Sequence, residues 1–318
     1  MRLEPVLPID GKAQIADIKR PRLRLIQNPK DRAGFQNLHV NSLQPGQTPR
    51  FRPFVADFIG QPKPAPHLSF LKGTPMSIVL ILGSAPNAVA ARGWPRAAFD
   101  RIVAINNAYL LRPDWDDHIF PWDFPSGALP PLGPDQRRIE QDSFVPAQNA
   151  LGGFVYAGGT MAFTAGYWAL HALRPRVLAF FGCDMHYPAE GATHFYGKGT
   201  PDPLREDLTL RSLEAKSARL MIFAARAGCA AVNLSAGPSR LVLPRTELAD
   251  LPNCTPVGYD PDLTEAALGR EAALGYFSPS GRYWEEAKRY DLREIDALDA
   301  LWLQAAAPPP LSNTVQLP

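Results

Sequence analysis

Apolar positions along the chain fall into short continuous runs that alternate with longer periodic stretches. SIVLILG (77–83) is a near-continuous apolar run ended by glycine, RIVAINN (101–107) repeats it, and DHIF (117–120) is a weaker third strand candidate. MAFTAGYWALHAL (161–173) carries the broad apolar stripe of a helix of about three turns and feeds another buried strand, RVLAFFG (176–182). LTLRSLEAKSARLMIFAARAG (208–228) is the clearest helix: Leu213, Ser217, Leu220, Met221, Ala224 and Ala227 share its inner stripe, and Gly228 is its stop. AAVNLS (230–235) adds a further strand. Buried strands alternating with helices predict an α/β fold, a mainly parallel sheet with helices on both faces. Beyond it, LTEAALGREAAL and YWEEAKRYDLREIDALDALW flank the loop FSPSG and predict short helices, read as a C-terminal cap.

Charge and proline divide the chain. Eleven of its 34 prolines lie in residues 1–75, which hold 12 Lys/Arg against 5 Asp/Glu, while 76–318 hold 21 against 26. The whole-chain net charge of +2 therefore describes neither part. The expected organisation is a basic, proline-rich and flexible arm (1–75), an α/β domain (76–255), the helical cap (256–304) and a disordered tail (305–318). Met76, opening MSIVLILGSAPN, reads as the natural beginning of the domain. The acidic balance of that domain argues against nucleic acid as its main partner. For the arm, peripheral contact with a membrane surface stays open. No export signal and no run of 18 apolar residues is present, and Cys183, Cys229 and Cys254 form no close pair. A cytoplasmic protein is expected, with Cys183 and Cys229 as small core side chains.

Candidate chemistry collects just past the strand ends, where open α/β sheets bind ligands. In GSAPN, Gly83 permits a tight turn, and Ser84 and Asn87 either bind a ligand or cap the next helix. The loop is neither GxGxxG nor GxxxxGK[ST], which argues against dinucleotide redox and P-loop chemistry. Asn106 and Asn107 end the second strand with paired amides that can read a base or sugar hydroxyls, or form a turn positioning Tyr109. Gly159 and Thr160 open a helix whose N–H groups suit a phosphate, with Thr160 also a natural cap. GCDMHYPAEGATHFYGKGTPD (182–202) is the densest segment, holding Asp184, His186, Tyr187, His194, Tyr196 and Lys198 in a lid-length loop. Histidine suits a general base near neutral pH, and tyrosine and lysine suit a departing phosphate. Asp184, His186 and His194 have no recognised zinc spacing, and no metal is assigned. In SAGPSR (235–240), Ser235, Ser239 and Arg240 lie near any anionic ligand. GxSxG, HExxH and CxxC are absent.

Residues 76–241 resemble the bacterial sialyltransferases of glycosyltransferase family 42 and, more loosely, the DUF115 proteins, which include a hydroxymethylpterin diphosphokinase. The family's GNGPS loop is similar to Gly83-Ser84-Ala85-Pro86-Asn87, with Ser84 replacing its asparagine. Asn106 and Tyr109 match its strand-ending asparagine and the tyrosine three residues on, and Gly159-Thr160 resembles its serine-glycine helix start. Gly182-Cys183-Asp184 resembles its G-x-D-x-Y strand end, with His186 in the tyrosine's place and Tyr187 one residue late. The resemblance implies a Rossmann-like fold and transfer of a glycosyl group from a nucleotide sugar, a CMP-sugar in that family, to a hydroxyl-bearing acceptor. It implies donor binding by Gly83, Ser84, Asn87, Asn106, Gly159 and Thr160, to which the residue reading adds Asn107 and Ser239, and makes His194 the base. Asp184, Tyr187, Tyr196 and Lys198 complete the expected catalytic group, with no tightly bound cofactor. Two alternatives stand beside it. One is a diphosphokinase acting on a pterin-like alcohol with ATP and magnesium held by Asp184. The other is a non-catalytic nucleotide- or glycan-binding protein.

Overall fold

Six strands form, β1 (Ile78–Leu82), β2 (Arg101–Ile105), β3 (Asp117–Ile119), β4 (Arg137–Ile139), β5 (Val177–Phe181) and β6 (Ala230–Asn233), of which β1, β2, β5 and β6 fall where the apolar runs are densest. The structure, a computed structural model, describes residues 77–187, 190–199 and 206–307. The expectations for the 1–75 arm, for a start at Met76 and for most of the tail lie outside the described residues. The strands make one sheet in the order β4-β3-β2-β1-β5-β6, every pair parallel. The chain runs outward from β1 to β4, then returns through α1 (Gln141–Asn149), α2 (Phe154–Ala157) and α3 (Met161–Ala172) to place β5 on the other side of β1. That reversal between β1 and β5 creates a crevice at their C-terminal ends. The α/β, Rossmann-like expectation holds.

Alternation along each strand sorts the core into two faces. Val79, Ile81, Val103 and Ile105 pack with α1, α3 and α4 (Leu213–Arg226). Ile78, Leu80, Leu82, Ile102 and Ala104 pack on the opposite face. Helices cover both faces, but among the described residues the second face is met by 3-10 turns, including Pro86–Gly93, Arg96–Ala98, Asn106–Leu111 and Leu248–Asn253. Prolines explain the shortness: Pro95, Pro113 and Pro252 fall within or just beyond these segments, and each removes a helical N–H and clashes with the preceding turn. The proline excess thus shapes the domain as well as the arm.

The long helix begins later than its sequence stripe indicates. Residues 208–210 form a 3-10 turn, Ser212 caps α4 by accepting from the Ala215 N–H, and Ala227 lies exposed past the helix end. Its Lys216 and Arg219, which lie outside the predicted inner stripe, are also buried. The cap covers them: α5 (Pro261–Leu274) brings Glu271 to Arg219 at 2.7 Å, and α6 (Leu292–Ala306) brings Asp299 to Lys216 at 2.7 Å. Around these pairs Val155, Tyr156, Ile222, Tyr276, Leu298 and Trp302 form a third apolar cluster that joins the cap to α2 and α4. The expected tail also starts too early, since α6 continues to Ala306 and Ala305 is fully buried. Cys183 and Cys229 are free and buried, as read from their surroundings. Among the described residues, no helix is long and apolar enough to cross a membrane.

Candidate functional site

The crevice between β1 and β5 is built by two glycines in contact. Gly83 lies so close to β5 that an added Cβ would sit 2.3 Å from the Gly182 carbonyl oxygen. Gly182, at φ 68°, occupies the left-handed region that glycine tolerates best. Hydrogen bonds from Gly83 N to Phe181 O (2.8 Å) and from Ala85 N to Gly182 O (3.0 Å) lock the two strand ends together. Above them opens a cavity lined by Ser84, Asn106, Thr160, Tyr187, His194 and Tyr196 among others. Its volume is about 210 Å³.

Three features of the lining are unusual. Asn106 (φ 49°) and Met185 (φ 50°), two of the three non-glycine residues with positive φ among those described, both line the cavity. Such backbone recurs at ligand sites because the surrounding structure must hold it there. The Asn106 carbonyl is held by His118, whose Nε2 lies 2.8 Å from it, and the Asn106 Oδ1 is buried with no partner among the described residues. The third feature is the first turn of α3. Thr160 caps it by accepting from Phe163 N at 3.3 Å, leaving the N–H groups of the lining residues Met161 and Ala162 outside the intrahelical ladder. A helix N-terminus in that state favours an anion.

The lid contributes a short hairpin. His194 and Gly197 exchange backbone hydrogen bonds at 2.9 and 3.0 Å, and Phe195 N donates to Ser84 O at 3.0 Å, fastening the hairpin to the loop after β1. His194 stacks on Tyr196 at 4.9 Å and lies 6.2 Å from the Tyr187 ring. Burial pushes the His194 pKa below its ordinary 6.5, so the ring is neutral at pH 7. Thr193 Oγ1 accepts from Gly199 N and lies 2.9 Å from His194 Nδ1. With the proton on Nδ1 and donated to Thr193, Nε2 is left as an acceptor, the state a general base requires.

The structure therefore brings together Gly83, Ser84, Asn106, Thr160, Tyr187, His194 and Tyr196. Other expected site residues stand apart from this cavity. Asp184 is buried in a polar network, its carboxylate accepting from Asn87 Nδ2 (3.0 Å), Ser235 Oγ (2.7 Å) and Asn233 Nδ2 (3.4 Å). Ser239 belongs to the same network, accepting from Asn233 at 3.1 Å. Asn87 and Ser239 thus brace the strand ends, and Arg240 pairs with Glu214 at 2.7 Å. Asn107 enters the 3-10 turn after β2, Lys198 is exposed on the hairpin, and Gly159 donates its N–H to Thr209 at 2.9 Å beside a second cavity. Asp184, the magnesium ligand of the diphosphokinase alternative, is buried and already accepts these three side-chain hydrogen bonds. Among the described residues no three His, Cys, Asp or Glu side chains gather around one point. His118 and Met185 escaped the sequence reading; the signal for His118 was a titratable residue inside an apolar strand.

Comparison of the chain with protein-family models, with curated proteins and with solved structures finds no match.

Proposed function

We propose that this protein transfers a glycosyl group from a nucleotide sugar to a hydroxyl-bearing acceptor, with a CMP-activated sugar as the donor class its sequence resemblance favours. One observation carries the reading: the β1–β5 crevice gathers an unpartnered buried amide oxygen, an uncommitted helix N-terminus and a neutral histidine around one cavity. The Asn106 amide would read the nucleotide, and the Met161 and Ala162 N–H groups would receive its phosphate. His194 Nε2 takes the acceptor hydroxyl proton as that oxygen bonds to the anomeric carbon. The carbon–phosphate-oxygen bond breaks on the opposite face, and its electron pair leaves with the nucleotide. Tyr187 and Tyr196 stand beside His194 to donate to the charge that develops. The products are the inverted glycoside and a free nucleotide.

The test is nucleotide release from a panel of nucleotide sugars. His194→Ala should cut turnover by about 10²–10⁴-fold with donor affinity little changed. Unchanged turnover removes the base assignment. Release of AMP from ATP with magnesium, and of nothing from nucleotide sugars, replaces the reading with diphosphate transfer.

A further inference from the structure

Next to the crevice lies a second cavity, of about 140 Å³, which shares Pro121 and Met161 with the first. Its rim holds two indoles. Trp122, just past β3, is 69% exposed, and Trp284, at the start of the cap's 3-10 helix Tyr283–Arg289, is 48% exposed. The other four tryptophans of the chain are buried or half-buried. The segment that presents Trp284 is well anchored. Gly281, at φ 74°, packs so tightly that an added Cβ would meet Phe154 at 2.9 Å and Val145 at 3.2 Å. The neighbouring Tyr283 is buried, donates its hydroxyl to Asp207 at 2.6 Å, and meets Trp284 edge-on at 5.3 Å. The wall that presents Trp284 is therefore fixed to the body of the domain.

The lining is mixed: Phe144, Val145, Phe154 and Met161 are apolar, whereas Asp123, Gln141 and Arg282 are exposed polar side chains, with Thr164 and Ser280 beside them. That mixture narrows the occupant. A wholly apolar ligand would strip water from an acid, an amide and a guanidinium and return no hydrogen bonds. A polyanion would meet Asp123 as readily as Arg282. A ring with one apolar C–H face and a rim of hydroxyls satisfies both halves of the lining, the face on an indole and the hydroxyls on the polar groups. An indole left mostly in water at an open mouth suits a ligand that also extends into solvent.

We infer that this second cavity is a glycan subsite: it binds a pyranose ring of the acceptor against Trp122 and Trp284, with Asp123, Gln141 and Arg282 on its hydroxyls. The inference rests on the glycosyl-transfer reading for its role, since the shared wall at Pro121 and Met161 sets an acceptor hydroxyl beside the donor cavity. It does not rest on that reading for the binding itself.

The experiment titrates the full chain with methyl glucopyranoside, galactopyranoside and mannopyranoside while following tryptophan emission, and separately measures the thermal shift given by nucleoside mono- and diphosphates. At least one pyranoside should move the emission to shorter wavelength. Trp122→Ala and Trp284→Ala, both substitutions of exposed side chains, should each weaken that response roughly tenfold or more, the loss typical of an aromatic anchor. Both variants should keep wild-type melting and the wild-type nucleotide shift. A nucleotide shift with no response to any pyranoside overturns the subsite and leaves the transfer reading standing. A pyranoside response with no nucleotide shift keeps the subsite and removes the transfer reading. A response of these two indoles to nucleotides alone makes the cavity a base slot and overturns the inference.

Discussion

His118 links the stability of the fold to the geometry of the site, and a single substitution separates the two. Its ring is fully buried among Tyr109, Trp115, Phe120 and Phe124, with centroids 4.8–5.8 Å away. Burial pushes its pKa down to about 4 from 6.5, opposed in part by the bond to the Asn106 carbonyl, and Arg138 adds a smaller downward push. The unfolded chain therefore takes up a proton below about pH 6.5, whereas the folded chain takes it up only near pH 4. The stabilisation is present above the unfolded value and is lost as the pH falls through this window. At about 1.4 kcal/mol per pKa unit, the full loss is about 3 kcal/mol. In His118→Gln the side-chain amide N–H replaces Nε2–H on the Asn106 carbonyl but cannot titrate. Urea unfolding at about pH 7 and about pH 4.5 should show wild type losing about 2–3 kcal/mol more than the variant between the two conditions. Equal losses would refute the assignment of a buried neutral histidine. His118→Phe, which leaves the carbonyl unpaired, should weaken nucleotide binding where His118→Gln does not.

Other consequences follow from single contacts. Glu271→Ala leaves Arg219 buried without its bidentate partner at 2.7 and 2.8 Å, so it should cost about 3–5 kcal/mol; a loss below about 1 kcal/mol in urea titration would mean the pair does not hold the cap. Gly83→Ala drives a methyl into the Gly182 carbonyl and should lower Tm and abolish nucleotide binding together; an intact Tm would show that the strand ends separate easily. Burial raises the thiol pKa of Cys183 and Cys229, so native protein should expose only Cys254 to a thiol reagent, and three fast thiols would contradict the packing.

The β strands at the sheet centre were legible because continuous apolar runs have few other homes, and β1, β2, β5 and β6 fall where Ile, Val, Leu and Phe cluster. The edge strand β4 was not: Arg137-Arg138-Ile139 is short and largely exposed, and Asp117 on the neighbouring strand draws Arg137 in at 2.5 Å. The helix α1 was hidden by Pro146 in its interior. The burial of Lys216 and Arg219 is not legible in the helix stripe, which shows one buried side, because nothing local reveals that Asp299 and Glu271, 83 and 52 residues on, will cover the other. In the site, Asn106, Thr160 and His194 were readable from loop position and residue type. Asp184 and Ser239 were named for the same reason, but hydrogen bonding among Asn87, Asn233 and Ser235 turns them into a brace. That depends on three loops meeting in space. Trp122 and Trp284 lie 162 positions apart and share a cavity only once the cap is folded.

The central claim is that the β1–β5 crevice binds a nucleotide through Asn106 and the first turn of α3. Calorimetric titration of wild type and Asn106→Ala with cytidine, uridine, adenosine and guanosine phosphates tests it most directly. The account predicts selective binding of one base by wild type, cytidine for the preferred donor, and a loss in Asn106→Ala of roughly tenfold, as expected for a buried hydrogen bond. Binding of no nucleotide, or equal affinity in wild type and Asn106→Ala, would contradict it.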